Sequence, residues 1–213
     1  MVNQLNANDL KKIFLEIKNI MDEQKDYLCK LDAALGDGDI GLTVTKGFKA
    51  IVDETEKLEI TDLGMFFKKS GFILAETVPS TIGTILASAF MQVGNELKGK
   101  KSLETLDMIA FFEGMISGIR KRGKAEVGDK TILDSLHPAV EALKESAEKG
   151  LSLAESIAAA YSAAWSGAED TKNLQSKHGR AERYFERSIG HQDPGATVGA
   201  LLLKGFHIYL NEA

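Results

Sequence analysis

Residues Leu31–Gly41 read Leu-Asp-Ala-Ala-Leu-Gly-Asp-Gly-Asp-Ile-Gly and place three carboxylates where one predicted helix ends and the next begins. A negative charge near a helix C-terminus opposes the helix dipole, so Asp32 is unfavourable there unless a cation compensates it. Asp37 and Asp39 are separated by one glycine, and two carboxylates so close repel each other. A divalent cation would relieve both problems. Oxygen ligands without a nearby His or Cys favour Mg²⁺ or Ca²⁺ over zinc.

An EF-hand calcium loop does not fit this stretch. Counted from Asp37, the sixth position is Leu42 and the twelfth is Phe48, where that loop needs a glycine and a bidentate glutamate. Mg²⁺ keeps several waters and shares its shell with phosphate oxygens, so a few carboxylates suffice to bind it. The alternative is a metal-free Asp/Gly turn between two helices, and the pattern alone leaves both interpretations open.

Helical spacing of apolar residues continues outward from this stretch in both directions, and no long alternating strand pattern competes with it. Asn8 and Ser152 are candidate N-caps of the first and seventh helices, and Asp193-Pro194 begins the last. Eight helices on short connections predict one all-α domain, residues 1–213, built as an antiparallel bundle or barrel. The apolar stripes cover Leu10–Leu31, Val44–Val52, Leu63–Leu74, Ile82–Leu97, Leu106–Ile119, Leu133–Leu143, Leu153–Ala164 and Val198–Tyr209.

Charge and hydropathy exclude several classes of partner. Lys and Arg number 26 against 31 Asp and Glu, a net charge of −5, whereas nucleic-acid binders usually carry a basic excess. The most apolar stretch, residues 71–93, contains Glu76 and Pro79 and does not reach a membrane-spanning run. The polar N-terminus shows no signal peptide. We therefore expect a soluble, cytoplasmic protein that binds neither nucleic acid nor a membrane.

The common strand-type nucleotide motifs and nucleophile motifs are missing. The sequence has no Gly-x-x-x-x-Gly-Lys-Ser/Thr, no Gly-x-Gly-x-x-Gly after a strand and no Gly-x-Ser-x-Gly. The single Cys29 excludes an intrachain disulfide, and the four histidines show no ligand spacing. One connection, about residues 168–192, has no sustained apolar stripe. Loops this long in compact domains are usually functional or disordered.

Four segments in the same order resemble the DhaL family, the ADP-binding subunits of dihydroxyacetone kinases. Residues 31–41 are similar to the family's magnesium-binding signature, and residues 128–136 to its adenine-side loop. Residues 179–181 with 190–196 resemble its C-terminal signature, and residues 79–90 lie where the family has a small-residue phosphate loop. The resemblance covers essentially the whole chain. It implies an eight-helix antiparallel up-and-down barrel with the nucleotide site at one end.

The resemblance also implies a role for each matched residue. Asp32, Asp37 and Asp39 would hold two Mg²⁺ ions. Arg180 is expected to be catalytic, because a planar guanidinium suits phosphate oxygens. The residues expected to contact ADP or ATP are Ile40, Gly41, Leu42, Thr43, Thr81, Ile82, Gly123, Ile132, Arg180, Asp193, Pro194 and Gly195.

Simpler interpretations of several of these residues stay open. Thr131, Asp134 and Asp193 could serve only as helix caps, and Arg180 could belong to a solvated charged loop or face a partner subunit. The phosphate region also departs from the family pattern. Ile40 stands where the family usually has His, and Ile82 lies in the loop where the family commonly has Gly-Gly-x-Ser-Gly. These differences indicate a divergent paralogue that acts on a related ketose or polyol-derived substrate.

The implied activity is phosphoryl transfer from Mg-bound ADP/ATP to a ketose-type substrate held on a separate DhaK-type subunit. A DhaM-type protein of the phosphotransferase system would recharge the bound ADP. Two alternatives remain: an ATP-dependent subunit that exchanges its nucleotide freely, and a non-enzymatic nucleotide sensor or scaffold. The sequence leaves open the exact substrate, the phosphoryl donor and the oligomeric state, a homodimer included.

Overall fold

The computed structural model describes residues 3–212, and the all-α prediction is confirmed within them. This part of the chain forms nine α-helices and two short strands. The helices are α1 (Ala7–Glu23), α2 (Lys25–Ala33), α3 (Ile40–Thr55), α4 (Leu63–Thr77), α5 (Thr81–Glu96), α6 (Thr105–Gly123), α7 (Leu133–Glu148), α8 (Leu153–Asp170) and α9 (Pro194–Glu212). The strands β1 (Leu5–Asn6) and β2 (Ser102–Leu103) pair antiparallel. Residues 1, 2 and 213 of the predicted domain lie outside the described range.

Eight of these helices form a closed ring. The helices α1 and α3 to α9 each pack against the next one in the chain, and α9 packs back against α1. The short α2 packs on α3 and α9. At one end of the ring, α3, α5, α7 and α9 begin close to the points where α2, α4, α6 and α8 end, so neighbouring helices run antiparallel. This arrangement is the predicted eight-helix up-and-down barrel, with α2 added to it.

The prediction for the first helix was wrong in its start and in its continuity. Asn6, and not Asn8, is the N-cap: its side chain accepts the amides of Asn8 and Asp9, and Asp9 accepts the amide of Asn6 in return. The helix α1 then ends at Glu23. Its C-cap, Gln24, has a ψ of 3°, and α2 begins at the next residue. Apolar spacing continues across this one-residue break, so periodicity alone merges α1 and α2 into one helix.

Other helix boundaries follow the predicted caps. Ser152 forms a capping box with Glu155 at the start of α8, and Asp193 accepts the amide of Ala196 at 2.6 Å at the start of α9. These side chains satisfy amides that have no partner inside the helix. They also fix where α8 and α9 begin.

A continuous cluster of phenylalanine rings fills the interior of the barrel. Neighbouring ring centroids lie 4.7 to 6.4 Å apart, and Phe14 and Phe67 each contact four other rings. The members, all buried, are Phe14, Phe48, Phe66, Phe67, Phe90, Phe111, Phe112 and Phe206. Because the rings fill the middle of the barrel, space for a cavity remains at the end of the barrel. Within residues 3–212, no helix has the length and apolar content needed to cross a bilayer.

Candidate functional site

Three carboxylates converge where α2 ends and α3 begins. Asp32, Asp37 and Asp39 each bring one oxygen within 4.8 Å of the others. Asp32 belongs to the last turn of α2, and its Oδ2 accepts the amides of Asp39 at 2.9 Å and Ile40 at 3.3 Å. These two bonds fold the connection back over the end of α2. The turn between Asp37 and Asp39 passes through Gly38, whose φ of 75° is readily adopted only by glycine.

Two further glycines permit this close approach. A Cβ at Gly36 would lie 2.3 Å from Oδ1 of Asp32, and a Cβ at Gly41 would lie 2.1 Å from the carbonyl oxygen of Lys25. Real side chains cannot come so close. Gly36 and Gly41 therefore let α2 and α3 meet tightly enough to bring Asp32 and Asp39 together.

The electrostatics of the three carboxylates fit a hard cation. Burial, then the charges of Asp37 and Asp32, raises the pKa of Asp39, while Arg180 opposes that rise. Nη2 of Arg180 lies 2.5 Å from Oδ2 of Asp37, so the arginine supplies part of the missing positive charge. An all-oxygen donor set that is partly open to solvent matches the preference of Mg²⁺, which keeps waters and phosphate oxygens in its shell. The donor set therefore fits the predicted metal.

A cavity of about 650 Å³ opens beside the carboxylates at this end of the barrel. Its volume lies in the range of small-molecule sites. Its wall is formed by the ends of α2 and α6, the starts of α3, α5, α7 and α9, and the connection between α8 and α9. The predicted site residues that line it are Asp32, Asp37, Asp39, Ile40, Thr81, Ile82, Gly123, Ile132, Arg180, Asp193, Pro194 and Gly195.

Three predicted nucleotide contacts do not line this cavity. Gly41 is buried against α2, and the side chain of Leu42 is 57% exposed. The amide of Thr43 already donates to the carbonyl of Asp39 at 3.0 Å. The first-turn amides of Gly41 and Leu42 have no partner four residues earlier in the helix, as at any helix start. These two residues can therefore serve an anion only through their backbone.

The cavity wall combines two kinds of surface. Carboxylates, the guanidinium of Arg180 and the starts of four helices form a polar part that suits phosphate groups together with a cation. Apolar side chains from α5, α6 and the connection between α6 and α7 form the other part, which suits a flat ring system. They belong to Ile82, Ile85, Ile119, Ala125 and Ile132. Ile40 and Ile82, which replace polar residues of the family pattern, both face the cavity.

The capping roles and the site roles coexist in the same residues. Asp134 accepts the amides of Gly128 and Thr131, so it shapes the loop before α7. Asp193 caps α9 and also lines the cavity. Burial of its carboxylate raises the pKa of Asp193 to about 7, against the hydrogen bond from Ala196, which lowers it. Asp193 is therefore both the cap of α9 and a residue of the cavity wall.

Sequence reasoning missed several polar residues at the site. Lys130 is only 2% exposed and lines the cavity, as do His178 and Gln192. Asp129 binds the ring of His178 at 3.2 Å and the ammonium of Lys177 at 2.8 Å. The bond from Lys177 is the main reason why the pKa of Asp129 is lowered to about 2. Both Asp129 and Lys130 lie inside residues 128–136, and this position in a matched segment indicates that they are near the site but not that Lys130 is buried.

Comparisons with known proteins identify relatives of this chain. A family model described as the DAK2 domain matches residues 34–207. The chain is 37% identical over 179 residues to the "PEP-dependent dihydroxyacetone kinase, ADP-binding subunit DhaL" of Escherichia coli K12, which covers 84% of this chain and 85% of that protein. It is 34% identical over 186 residues to the ADP-binding subunit DhaL of PEP-dependent dihydroxyacetone kinase 2 from Listeria innocua, which covers 86% of each.

The fold is also similar to that of a solved kinase. The dihydroxyacetone kinase from C. freundii, in its complex with AMP-PNP and Mg²⁺, superposes with a TM-score of 0.72 at 24% identity. The match covers 96% of this chain and 34% of that one, so the present chain spans about a third of the solved kinase. At this identity the likeness concerns the fold.

Proposed function

The chain belongs to the DAK2-domain family as a DhaL-type subunit, and from this premise we propose that it is the nucleotide-binding phosphotransferase subunit of a dihydroxyacetone-type kinase. In this proposal it holds ADP or ATP together with Mg²⁺ and transfers a phosphoryl group to a ketose-type substrate on a separate DhaK-type subunit. Two magnesium ions would be held by Asp32, Asp37 and Asp39, and the nucleotide would fill the cavity beside them.

One observation carries this proposal: three carboxylates and Arg180 meet at the mouth of a cavity into which several helices point their first turns. Phosphoryl transfer needs mainly positioning and neutralisation of charge, and these groups supply both. An Asp/Gly turn without a metal would explain the carboxylates but not the cavity or the arginine. Binding of a nucleotide explains all three.

Each group of the chain has a definite part in this reaction. Bound magnesium would neutralise the charge of the phosphate oxygens and hold them in line for transfer. The two backbone amides that bind Asp32 orient its carboxylate, and the first turns of α3 and α5 offer amides to the phosphates. Arg180 would stabilise the negative charge that develops on the transferred group. The apolar wall would hold the base and exclude water from it.

A separate subunit and a phosphotransferase-system donor belong to the same proposal. The E. coli relative is named as a subunit of a PEP-dependent kinase, which supports a DhaM-type donor over free ATP. The segment that carries Arg180 also exposes Tyr184, Phe185 and Ile189, apolar side chains that a partner protein could cover. We propose this segment as part of the contact with the DhaK-type subunit.

The test is a reconstituted reaction. Purified chain, Mg·ADP, a DhaK-type subunit and a ketose should give phosphorylated ketose when a DhaM-type donor is supplied. Asp37→Ala should lose both transfer and magnesium-dependent ADP binding in calorimetry. Asp26→Ala is a matched control, because Asp26 is exposed on the same helix, α2, and lies away from the cavity.

The outcome separates the alternatives. Transfer that needs only ATP, with rapid exchange of the bound nucleotide, would favour the freely exchanging kinase subunit. Tight Mg·ADP binding without transfer under any donor would favour a nucleotide sensor. Unchanged ADP binding by Asp37→Ala would contradict the proposed metal site.

A further inference from the structure

The connection between α8 and α9 carries Arg180 but contributes little of its own to the core. It contains two 3₁₀ segments, Thr171–Asn173 and Arg180–Ser188. The second is kinked at Phe185, where φ is 50°, and most of its side chains are exposed. Nevertheless the guanidinium of Arg180 reaches Oδ2 of Asp37 at 2.5 Å. Because the second segment makes few buried contacts, its position must be fixed where it joins the rest of the protein.

Lys130, which lies in the connection between α6 and α7, holds this second segment at both of its ends. Its ammonium donates to the carbonyl of Leu174 at 3.1 Å and to the carbonyl of Ser188 at 2.5 Å. Leu174 and Ser188 lie before and after the segment that carries Arg180. One buried cation therefore joins the two chain segments that flank Arg180, residues 172–178 and 188–190, which we call the loop neck. The amide of Gly190 also bonds to the carbonyl of Lys172 at 2.7 Å and closes the neck nearer to α8 and α9.

The residue before it adds a second set of bonds to the same neck. The carbonyl of Asp129 accepts the amide of Lys177, and its carboxylate accepts the ammonium of Lys177 and contacts the ring of His178. The carboxylate is itself oriented by the amide of Glu126 at 2.7 Å. His178 and Arg180 are separated by Gly179 alone. The bonds of Asp129 and Lys130 thus fix the backbone as far as His178, two residues before Arg180.

The backbone of Lys130 adopts a conformation that is unfavourable for a residue with a long side chain. Its φ is 63°, a left-handed conformation that long side chains rarely adopt and that glycine adopts freely. Burial also lowers the pKa of the Lys130 ammonium, so its surroundings disfavour the charge. Strained residues that persist in a fold cluster at functional sites. The local backbone conformation alone would favour a glycine at this position.

We propose that Lys130 is a positioning residue: by holding the carbonyls of Leu174 and Ser188 it fixes the loop neck and so keeps Arg180 beside Asp37. The inference rests on the proposed function only for the role of Arg180 in transfer. The fixing of the neck can be tested without any activity. Lys130 is not a catalytic residue in this scheme, because it acts through Arg180.

Two substitutions of Lys130 separate its side chain from its backbone. Lys130→Met removes the ammonium and keeps the left-handed backbone conformation. Lys130→Gly removes the ammonium and adopts that conformation freely, so backbone strain does not contribute to its behaviour. Ser146→Ala is a matched control. It removes a buried hydroxyl that bonds to the carbonyl of Ala142 within α7, without a bond to the loop. All variants should be compared well below their melting temperatures.

The first readout is hydrogen exchange of three neck amides, those of Ser176, Lys177 and Gly190, in the chain without nucleotide. These amides bond to Ser188, Asp129 and Lys172 respectively. Exchange should become at least about 10-fold faster in both Lys130 variants. It should stay at the wild-type rate in Ser146→Ala. Unchanged exchange in Lys130→Gly would overturn the proposal.

The second readout asks whether Lys130 acts through Arg180. In the reconstituted reaction, Lys130→Gly should lower kcat and leave KM for the loaded partner nearly unchanged. In an Arg180→Ala background it should lower kcat no further, because the residue that it positions is gone. Additive losses would overturn the proposal. A wild type without transfer would contradict the proposed function alone, and the exchange rates would then decide the role of Lys130 by themselves.

Discussion

The side chain of Arg180 is 58% exposed, and it forms an ion pair with Asp37, a carboxylate of the predicted metal site. An exposed arginine without a functional contact would contribute little to stability or to activity. We expect Arg180→Ala to unfold within about 0.5 kcal/mol of the wild type and to lose transfer by roughly 10²-fold or more. Thermal unfolding and the reconstituted kinase reaction measure the two effects.

Arg183→Ala is the matched control for this substitution. Arg183 is an exposed arginine of the same 3₁₀ segment and does not line the cavity. It should leave both stability and transfer near the wild-type values. Equal transfer by Arg180→Ala and Arg183→Ala would mean that Arg180 is a solvated surface residue without a role in transfer.

The carboxylates and Lys130 differ in how far sequence could reveal them. Asp32, Asp37 and Asp39 are close in the chain, and their mutual repulsion near a helix end already indicates a cation. The partners of Lys130 are backbone carbonyls 44 and 58 residues away. A backbone carbonyl leaves no mark in the sequence. No local pattern could therefore have shown that this lysine is buried or what it holds.

The packing of α2 on α3 determines whether the carboxylates can meet. Replacing glycine by alanine inside a helix normally stabilises it by about 1 kcal/mol. At Gly41 we expect the opposite sign, because the new Cβ would lie 2.1 Å from the carbonyl oxygen of Lys25. Gly41→Ala should cost about 1–3 kcal/mol and separate Asp32 from Asp39, which weakens magnesium-dependent ADP binding. Denaturant unfolding and calorimetry test these effects.

Leu42→Ala provides the control in the same helical turn. Its side chain is 57% exposed, so its removal should change neither the packing of α3 nor the metal site. If Gly41→Ala is as stable as the wild type and binds Mg·ADP equally well, then α2 and α3 tolerate a wider separation than their packing indicates.

The loop between α6 and α7 should show a characteristic pH dependence. The bond from Lys177, followed by the amide of Glu126, lowers the pKa of Asp129 to about 2 in the folded protein, against a value of 3.8 for the free side chain. A lowered pKa stabilises the fold above pH 3.8, and that stabilisation is lost as the pH falls towards 2. We expect Asp129→Asn to cost between about 1 and 2 kcal/mol near pH 7.

The stability difference between Asp129→Asn and the wild type should then shrink as the pH is lowered from about 4 to 2. Urea unfolding at several pH values measures it. A difference that stays constant over this range would mean that the asparagine costs stability through its shape and not through the lost charge.

At the level of elements, the sequence predicted what local chemistry encodes. Ser152 and Asp193 were identified as caps because a short polar side chain before an apolar stripe has a specific task there. The break at Gln24 was missed because neither Gly nor Pro marks it and the apolar spacing runs through it. The connection at residues 168–192 was predicted to be irregular. Its two 3₁₀ segments had no periodicity from which they could be predicted.

At the level of the whole molecule, the site exists only because the ring closes. The helices α3, α5, α7 and α9 begin at positions spread over more than 150 residues, and the barrel brings all four starts to one cavity. Periodicity predicted eight helices and an antiparallel arrangement but could not say which ends meet. The prediction that these helix ends meet came from the resemblance of four separate motifs to one family. The four motifs lie in the connections at this end of the barrel.

A ligand that spans these connections should therefore stabilise the whole barrel and not one helix pair. At 100 times its dissociation constant, a ligand that binds only the folded state adds about 2.7 kcal/mol. For a domain of this size each kcal/mol raises Tm by roughly 2–4 °C, so Mg·ADP should raise Tm by about 5–11 °C. Differential scanning fluorimetry measures this directly. Because Asp37 and Asp39 need a cation before phosphate can approach them, ADP with a chelator should give little of the shift, and magnesium alone only part of it. An equal shift with ADP in the presence and absence of the chelator would mean that the nucleotide binds without the carboxylates, and the metal site would have to be abandoned.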